Sequence, residues 1–579
     1  MSSRVVVDAF REQVQRHPDH TAVEADDVSL TFAELARQAI MLADELTRAG
    51  VGRGEAVAVS LPRTSRLIVA MLATWQVGAA FVLIDPGEPL EAKEYKYQLV
   101  DAVVYLCEEA DPTVPAGARM LVYPRPAPGR GTVGGRALRL PAPADRAYYV
   151  FTSGSTGRPK GVTIDHGSLM HHCRHQLTDI YAGYSDGEPL RIASAAPVYF
   201  DSFLDQFLPM LLFGHTMVLL GDAQRFDLER YVAGPGFDVV DCAPSQLELL
   251  VRHGLLEGEA QPRLIVFGGE NPSAHLWSTL RDHQVEAYSV YGATECSIGT
   301  LTAPVLAHEH VSLGRPTLAD PVYVLRPGTT ALVEVGEVGE IVIGGGSVGV
   351  GYLGEDPTGG GVFTPDPFGA PGETCYRTGD LGRLMPDGSI TFVERLDDQI
   401  KVRGFRIEPV EVERTLLTIP GIRVAVALGD VHGSVADRLL VGYVDDENRP
   451  WTEIKPLLAE RCPKHLMPDW GVALSEVPIT DTGKIDRQEL RRIIAASHEG
   501  GEDDEDVSSY EDLIRQIWKD VLGVDRLRVT TPLVDLGATS IMVLDIAARV
   551  ADLPTPAPID FSQLLAATTI REQAMSFTN

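Results

Sequence analysis

The chain has 579 residues, of which 44% are hydrophobic and 23% charged, so it is a globular protein too long for one core, and we expect three or more folding units. Its net charge of −31 argues against nucleic acid or an anionic membrane surface as a partner. The six cysteines lack CxxC spacing, and no apolar run forms a signal core or reaches membrane-spanning length. We therefore expect no disulfide framework, zinc site or membrane segment, and a cytoplasmic location.

The first 145 residues alternate between helical and strand-like patterns. Helices are predicted over 31–39, where Thr31 is a plausible N-cap, and over 68–77. Strands are predicted over 58–62 and 80–85, and this alternation is typical of a parallel sheet with crossover helices. The segment 124–135 is rich in Pro, Gly and Arg and is predicted to be a surface excursion.

A loop rich in glycines and hydroxyls follows an apolar run, with the sequence Thr152-Ser-Gly-Ser-Thr-Gly-Arg-Pro-Lys-Gly161. Its glycines allow backbone N–H groups to turn inward, its hydroxyls add donors and Lys160 adds a point charge, so the loop can cradle phosphate oxygens. A bare tract of this kind would be a surface loop, and the Walker spacing is absent. The whole string nevertheless resembles the phosphate loop of the adenylate-forming enzymes: acyl-CoA synthetases, luciferases and nonribosomal peptide adenylation domains. This resemblance implies ATP contacts from Thr152, Ser153, Gly154, Ser155, Thr156, Gly157 and Lys160.

Three later motifs carry the same resemblance in the same order. They are Phe267-Gly-Gly-Glu270, Tyr291-Gly-Ala-Thr-Glu295, in which alanine replaces the family's proline, and Tyr376-Arg-Thr-Gly-Asp380. The resemblance implies that Glu295 helps to hold Mg²⁺, a hard cation that suits a lone carboxylate beside phosphates. The nucleotide contacts that it implies are Gly268, Gly269, Glu270, Tyr291, Gly292, Thr294, Asp380 and Arg395.

Two motifs near the end of this region resemble the parts that move in the family. The segment 394–408 resembles the hinge motif, and Asp397 aligns with the residue about which a small domain rotates. The segment Thr482-Gly-Lys484 resembles the start of the closing motif and implies Lys484 as the catalytic cation, which neutralises the substrate carboxylate and the α-phosphate. Because positioning and charge neutralisation carry such a step, we expect no general base.

The segment Tyr199-Phe-Asp-Ser202 resembles the opening of the acyl pocket in amino-acid-specific adenylation domains, and Asp201 matches the aspartate that pairs with an α-ammonium. Phe203 stands where the family usually has serine. The pocket residues that the resemblance implies are Asp201, Ser202, Asp205, Asp241, Ile265, Phe267, Val290, Ile298, Gly299 and Lys484. Since buried carboxylates need donors, two extra acids predict a polar or basic substrate side chain with an amine, guanidinium or imidazole. Two alternatives remain open: one acid points away, or the alignment near Cys242 slips by one residue.

Four histidines follow the phosphate loop, at positions 166, 171, 172 and 175. Their clustering could indicate a metal site. An ordinary helix with exposed imidazoles also explains them, and we predict this helix.

The C-terminal tail contains Asp535-Leu-Gly-Ala-Thr-Ser540, which resembles a carrier-protein motif with Ala538 and Thr539 as departures. Alone, Ser540 would be an ordinary helix N-cap. The resemblance implies that it begins a helix and carries covalent 4′-phosphopantetheine, added by a phosphopantetheinyl transferase. Helical patterns over 513–522 and 569–574 fit a small helical bundle.

These features predict an α/β protein in four segments. Residues 1–395 form a large multi-sheet adenylation subdomain, 396–495 a small α/β subdomain, 496–507 an acidic linker, and 508–579 a four-helix-type peptidyl carrier domain. The expected activity is ATP-dependent and Mg²⁺-dependent activation of an amino acid as aminoacyl-AMP and its loading onto the carrier of a free-standing didomain. Its thioester would pass to tailoring, condensation or transfer enzymes, and an activator protein of the MbtH-like type would be a further partner.

Two other functions compete with this one. The first is an acid–CoA ligase with a fused helical tail, for which Ser540 would be dispensable. The second is a catalytically inactive binding module, which the intact Lys160, Asp380 and Lys484 argue against.

Overall fold

The structure is a computed structural model that divides into two compact units. The first comprises 1–152, 159–244 and 256–397, and the second comprises 153–158, 245–255 and 398–579. The residues described are 4–108, 113–123, 140–154, 158–184, 187–221, 224–225, 228–232, 236–257, 261–317, 319–355, 361–397, 399–402, 405–432, 436–478, 485–497, 509–522, 527–536, 538, 540–551, 553 and 561–577. The predicted excursion at 124–135 lies outside them.

The helices of the described residues, in chain order, are α1 (Val6–Arg16), α2 (Phe32–Arg48), α3 (Ser65–Gln76), α4 (Leu90–Leu99), α5 (His166–His172), α6 (Thr178–Ile180), α7 (Ser202–Phe213), α8 (Leu228–Val232), α9 (Pro244–Arg252), α10 (Ala274–Asp282), α11 (Pro409–Leu417), α12 (Trp451–Ala459), α13 (Arg487–Ser497), α14 (Ser509–Leu522), α15 (Ser540–Ala551), α16 (Phe561–Ala566) and α17 (Ile570–Met575). One π turn joins α5 to α6 at Cys173–Leu177. Short 3₁₀ turns occur at Thr294–Cys296, Val305–Ala307, Lys464–Leu466 and Leu533–Leu536. Among the described residues, no helix is both long and apolar enough to cross a membrane.

The strands, in chain order, are β1 (Thr21–Ala25), β2 (Ser29–Thr31), β3 (Ala56–Ser60), β4 (Ala80–Leu83), β5 (Val104–Cys107), β6 (Met120–Val122), β7 (Arg146–Thr152), β8 (Lys160–Asp165), β9 (Arg191–Ser194), β10 (Thr216–Leu219), β11 (Val239–Cys242), β12 (Leu264–Gly268), β13 (Ala287–Tyr291), β14 (Leu301–Pro304), β15 (Val322–Leu325), β16 (Val338–Ile343), β17 (Gly351–Tyr352), β18 (Phe363–Pro365), β19 (Thr374–Leu384), β20 (Ile390–Arg395), β21 (Ile400–Val402), β22 (Phe405–Ile407), β23 (Ile422–His432), β24 (Ala436–Asp445) and β25 (Trp470–Ala473).

In the described part of the chain, three sheets build the first unit. The largest has the order β14-β13-β12-β11-β9-β10-β1-β2, and the second has the order β17-β8-β7-β4-β3-β5-β6. The strands of their central parts, including β3, β4 and β5 and the run from β9 to β13, pair in parallel, as the sequence predicts. A third, antiparallel sheet contains β15, β16, β19, β18 and β20. Because strands buried on both faces are apolar throughout, this parallel arrangement accounts for runs such as β3 and β4, which are buried at every position.

The helix predicted from Thr31 shows how local sequence sets an element boundary. The Thr31 side chain accepts a hydrogen bond from the Glu34 amide, and the Glu34 side chain accepts one from the Thr31 amide. This reciprocal pair satisfies two N–H groups that a helix start leaves without partners. The prediction is confirmed, and the helix extends to Arg48.

The second unit contains a small α/β part and a helical part. The first has the sheet β23-β24-β25, the pair β21-β22 and the helices α11 to α13. The second comprises α14 to α17 around its own core, which includes Trp518 and Leu522. The Trp518 indole donates to Gln573 Oε1 at 2.8 Å, so the polar edge of this buried ring has a partner. The α/β fold with a helical C-terminal region is therefore confirmed, whereas the exact segment boundaries stay a prediction.

Candidate active site

Three of the predicted nucleotide contacts meet where three strands approach one another in the first unit. Tyr291 ends β13, Asp380 lies in β19, and Arg395 ends β20 directly opposite Asp380. The Tyr291 hydroxyl donates to Asp380 Oδ2 at 2.7 Å, and Arg395 Nη1 donates to Asp380 Oδ1 at 2.8 Å. Burial, and then the charge of Asp380, raises the pKa of Tyr291 well above its ordinary value, so its hydroxyl remains a donor. A carboxylate held in this way accepts several hydrogen bonds and can bind sugar hydroxyls.

The predicted hinge residue lies beside this cluster. Arg395 Nη2 lies 2.7 Å from Asp397 Oδ2, so one guanidinium contacts two carboxylates. The first compact unit ends at Asp397. The hinge role itself stays a prediction.

A tyrosine lies between the predicted metal ligand and the lysine of the phosphate loop. Tyr352 donates to Glu295 Oε1 at 2.5 Å, and Glu295 is fully buried. Lys160 Nζ lies 4.6 Å from the centre of the Tyr352 ring and 3.6 Å from Glu355 Oε1. Thr152 and Lys160 are paired across β7 and β8, which fixes both ends of the loop. Mg²⁺ beside substrate phosphates is usually held by only one or two protein carboxylates, so the single carboxylate of Glu295 fits this ion.

The turn that follows β13 is strained. Ser297 and Ile298 both have positive φ angles, of 56° and 80°, directly after the 3₁₀ turn. Positive φ is unusual for a β-branched residue such as Ile298, and strain of this kind clusters at ligand sites. The Ser297 hydroxyl donates to the Ser347 carbonyl at 3.0 Å, and a Cβ on Gly292 would lie 2.1 Å from the Ile298 carbonyl oxygen. Glycine at 292 therefore lets the turn fold back onto the end of β13.

The carboxylate predicted to bind the α-ammonium precedes α7. Burial raises the pKa of Asp201 to about 6, a hydrogen bond with Thr294 opposes this rise, and the charges of Asp205 and Glu295 add to it. Asp201 is therefore mostly ionised at pH 7 and is poised to lose its charge in mild acid. Ser202, the next predicted pocket residue, is exposed at the start of α7.

A narrow pocket lies among α5, α7 and strands β11 to β13, and it contains three of the predicted residues, Asp205, Asp241 and Val290. The pocket wall on β12 is Val266, where the sequence comparison placed Ile265 and Phe267. This is a correction with a simple cause: successive strand side chains point to opposite faces, so Ile265 and Phe267 cannot share the face of Val266. Phe267 instead packs edge-on against Trp277, with ring centres 6.3 Å apart.

The histidines correct a second prediction. His166 and His172 are buried, not exposed: His166 packs edge-on against Trp75, and burial lowers its pKa to about 4 despite the charge of Asp145. His172 Nε2 lies 2.6 Å from Asp205 Oδ1, and His172 Nδ1 lies 3.3 Å from the Gly299 carbonyl oxygen. Because both partners are acceptors, this geometry favours a ring that carries hydrogen on both nitrogens, the imidazolium form.

The charge of His172 follows from a balance of two effects. Burial lowers its pKa, but the charge and hydrogen bond of Asp205 outweigh burial and raise the pKa above its ordinary value. Asp205 is thus neutralised from within the protein, and Asp241 is the extra acid left for the substrate. Burial, and then the charge of Asp205, raises the pKa of Asp241 well above its ordinary value.

The sequence comparison missed several pocket residues on the segment after the phosphate loop. These are His172, Gln176, Leu177, Ile180 and Tyr181. A signal was present, because His172, Gln176 and Ile180 recur at intervals of four residues, which is the spacing of one helix face.

The remaining predicted site residues lie in both units of the chain. Gly268 ends β12, and Gly269 and Glu270 follow it. In the second unit, the Ser153 hydroxyl donates to the Arg406 carbonyl at 2.6 Å. The residues outside the described part of the chain are Ser155, Thr156, Gly157 and Lys484. Ser540 is the first residue of α15, as predicted.

Comparison with known proteins identifies the family of the chain. A family described as AMP-binding enzyme matches residues 10–353, and one described as phosphopantetheine attachment site matches residues 512–574. Phosphinothricin tripeptide synthetase PhsC of Streptomyces viridochromogenes is 34% identical over 567 residues, covering 94% of this chain and 50% of that protein. Surfactin synthase subunit 2 of Bacillus subtilis is 29% identical over 580 residues, covering 98% of this chain and 16% of that protein. The chain thus spans half or less of the length of these relatives.

A solved structure shares the fold along almost the whole chain. It is holo-PA1221, an NRPS protein containing adenylation and PCP domains bound to a vinylsulfonamide inhibitor, with a TM-score of 0.80 and 22% identity. The match covers 99% of this chain and 96% of that one. The chain therefore belongs to the AMP-binding enzyme family and carries a phosphopantetheine attachment domain behind it, the adenylation and carrier arrangement of nonribosomal peptide synthetases.

Proposed function

We propose that this protein activates an amino acid with ATP as aminoacyl-AMP and then loads it onto its own carrier domain at Ser540. The observation that carries the proposal is Asp201, a half-buried carboxylate held by Thr294, a residue of the same turn as Glu295. An acid that is largely removed from water and has no cationic partner is costly, and the α-ammonium of an amino acid is its natural counterpart.

Several residues of the chain contribute to the first step, the formation of aminoacyl-AMP. The substrate carboxylate attacks the α-phosphorus and pyrophosphate leaves, so the task of the protein is to orient both reactants and to neutralise charge. Asp380, with Tyr291 and Arg395 fixed around it, orients the ribose, and Lys160 supplies positive charge to the phosphates. Lys484 remains the proposed catalytic cation. Mg²⁺, held by Glu295, would supply further positive charge.

Loading is the second step. When attached to Ser540, 4′-phosphopantetheine would supply the thiol that accepts the aminoacyl group, and AMP would leave. The chain's contribution is to present Ser540 at the start of α15 on a small domain with its own core. The proposed partners are a phosphopantetheinyl transferase, downstream condensation, tailoring or transfer enzymes, and an MbtH-like activator. Six free cysteines, all buried, support a reducing cytoplasm.

The proposed substrate has a polar or basic side chain. Asp241 supports this because it lines the pocket, and no hydrogen bond to its carboxylate is found among the described residues. Asp205 no longer supports it, since His172 already occupies that carboxylate.

Intact mass spectrometry of the pantetheinylated protein, incubated with ATP and a pool of amino acids, tests this function. We expect a mass increment equal to one aminoacyl group, lost in Ser540→Ala. ATP–pyrophosphate exchange should depend on an amino acid in both proteins. Product formation on free coenzyme A that survives Ser540→Ala would identify an acid–CoA ligase instead.

A further inference from the structure

Gln176 enters the pocket from the π turn that joins α5 to α6. A π turn is rare and is frequently found at functional sites, because its extra residue changes the direction of the side chains that follow. Here it places the Gln176 amide in the same pocket as Asp241.

The Gln176 amide is buried and has no internal partner. The residue is 4% exposed, and neither Oε1 nor Nε2 makes a hydrogen bond within the described part of the chain. Buried amides are normally satisfied, so an exception that faces a pocket indicates a missing ligand. The backbone at Gly299 approaches this amide closely, because a Cβ on Gly299 would lie 2.3 Å from Gln176 Oε1.

The charges around Gln176 restrict what the ligand can be. His172 and Asp205 neutralise each other. Asp241 lines the same pocket, and burial, followed by the charge of Asp205, raises its pKa well above the ordinary value. Two other pocket residues, Val266 and Ile180, are apolar. The polar end of the pocket therefore needs a ligand that offers both an acceptor, for Gln176 Nε2, and a donor, for Gln176 Oε1.

We propose that Gln176 is a specificity-determining residue which, together with Asp241, selects an amino acid whose side chain ends in an uncharged carboxamide or ureido group. Such a group has an oxygen for Gln176 Nε2 and N–H donors for Gln176 Oε1 and Asp241. An ammonium or guanidinium has no acceptor for Nε2, and an aliphatic side chain leaves both amide atoms unsatisfied. The inference rests on the proposed function and narrows its polar or basic class to uncharged members.

The test is amino-acid-dependent ATP–pyrophosphate exchange by the full chain with three sets of substrates. The first set is asparagine, glutamine and citrulline, the second is ornithine, lysine and arginine, and the third is leucine and valine. For the wild type, we expect the highest kcat/KM within the first set. A best substrate from the second or third set would overturn the inference while leaving the proposed function intact. If none of the amino acids offered supported ATP–pyrophosphate exchange, the proposed function would be overturned.

Two substitutions of Gln176 separate recognition from folding. Gln176→Leu should reduce the preference for the best first-set substrate over leucine at least tenfold and leave the Tm equal or higher, because it removes an unsatisfied amide. Gln176→Glu, which keeps the size of the side chain but replaces a donor with an acceptor, should shift the preference toward ornithine. The matched control is Gln98→Leu on the exposed side of α4, and it should change neither quantity. An unchanged substrate profile in Gln176→Leu would overturn the inference.

Discussion

Replacing His172 with leucine tests the buried ion pair in the pocket. His172 is 1% exposed, and its Nε2 lies 2.6 Å from the Asp205 carboxylate. Leucine fills a similar volume but donates no hydrogen bond, so His172→Leu leaves Asp205 as an uncompensated, largely buried charge. Breaking one side of a buried pair costs about 3–5 kcal/mol of unfolding free energy.

Replacing both partners removes that penalty. The double variant His172→Leu/Asp205→Leu buries no unpaired charge, and exchange of a buried pair for apolar residues is about neutral to stabilising. We therefore expect the double variant to be more stable than His172→Leu alone, so that the two effects are not additive. Urea unfolding of His172→Leu, Asp205→Leu and the double variant measures these effects, with the exposed His275→Leu on α10 as the control.

The pH dependence gives an independent check. Because the folded-state pKa of His172 is raised, its contribution to stability is fully present below about pH 6.5, the unfolded value, and is lost as pH rises through the folded pKa. The stability of His172→Leu should not show this fall as pH rises. A cost for His172→Leu below about 1 kcal/mol, or a double variant as unstable as the sum of the single ones, would refute the pairing.

Four further predictions concern the site and the carrier. Asp201 has a pKa of about 6, so kcat/KM for the amino acid should fall about tenfold per pH unit below that value, and Asp201→Asn should lose this dependence while lowering kcat/KM at pH 7. Tyr291→Phe deletes the donor to Asp380 and should cost about 0.5–1.5 kcal/mol in thermal unfolding and raise the KM for ATP; an unchanged KM would contradict the ribose role. Gly292→Ala places a Cβ 2.1 Å from a backbone oxygen of the following turn, so pyrophosphate exchange should fall at least tenfold. Ser540→Ala should retain exchange but gain no mass on treatment with a phosphopantetheinyl transferase and coenzyme A.

Local sequence determined much of the architecture. Alternating apolar and helical patterns predict the parallel sheets, and Thr31 predicts a helix start because its cap involves residues only three apart. Motifs also predicted residues that come together from distant positions, such as Tyr291 and Asp380, because the spacing of each motif is specific to the family. The start of α15 at Ser540 was predicted for the same reason.

The tertiary structure alone decided which side chains face the pocket. The segment at 264–268 is apolar throughout, so its sequence carries no alternation to show that Val266 and not Ile265 or Phe267 faces inward. The pairing of His172 with Asp205 and the unsatisfied amide of Gln176 depend on how a helix, a π turn and three strands pack together. Such contacts join residues far apart in the chain, and their geometry is fixed by packing, which no local pattern encodes.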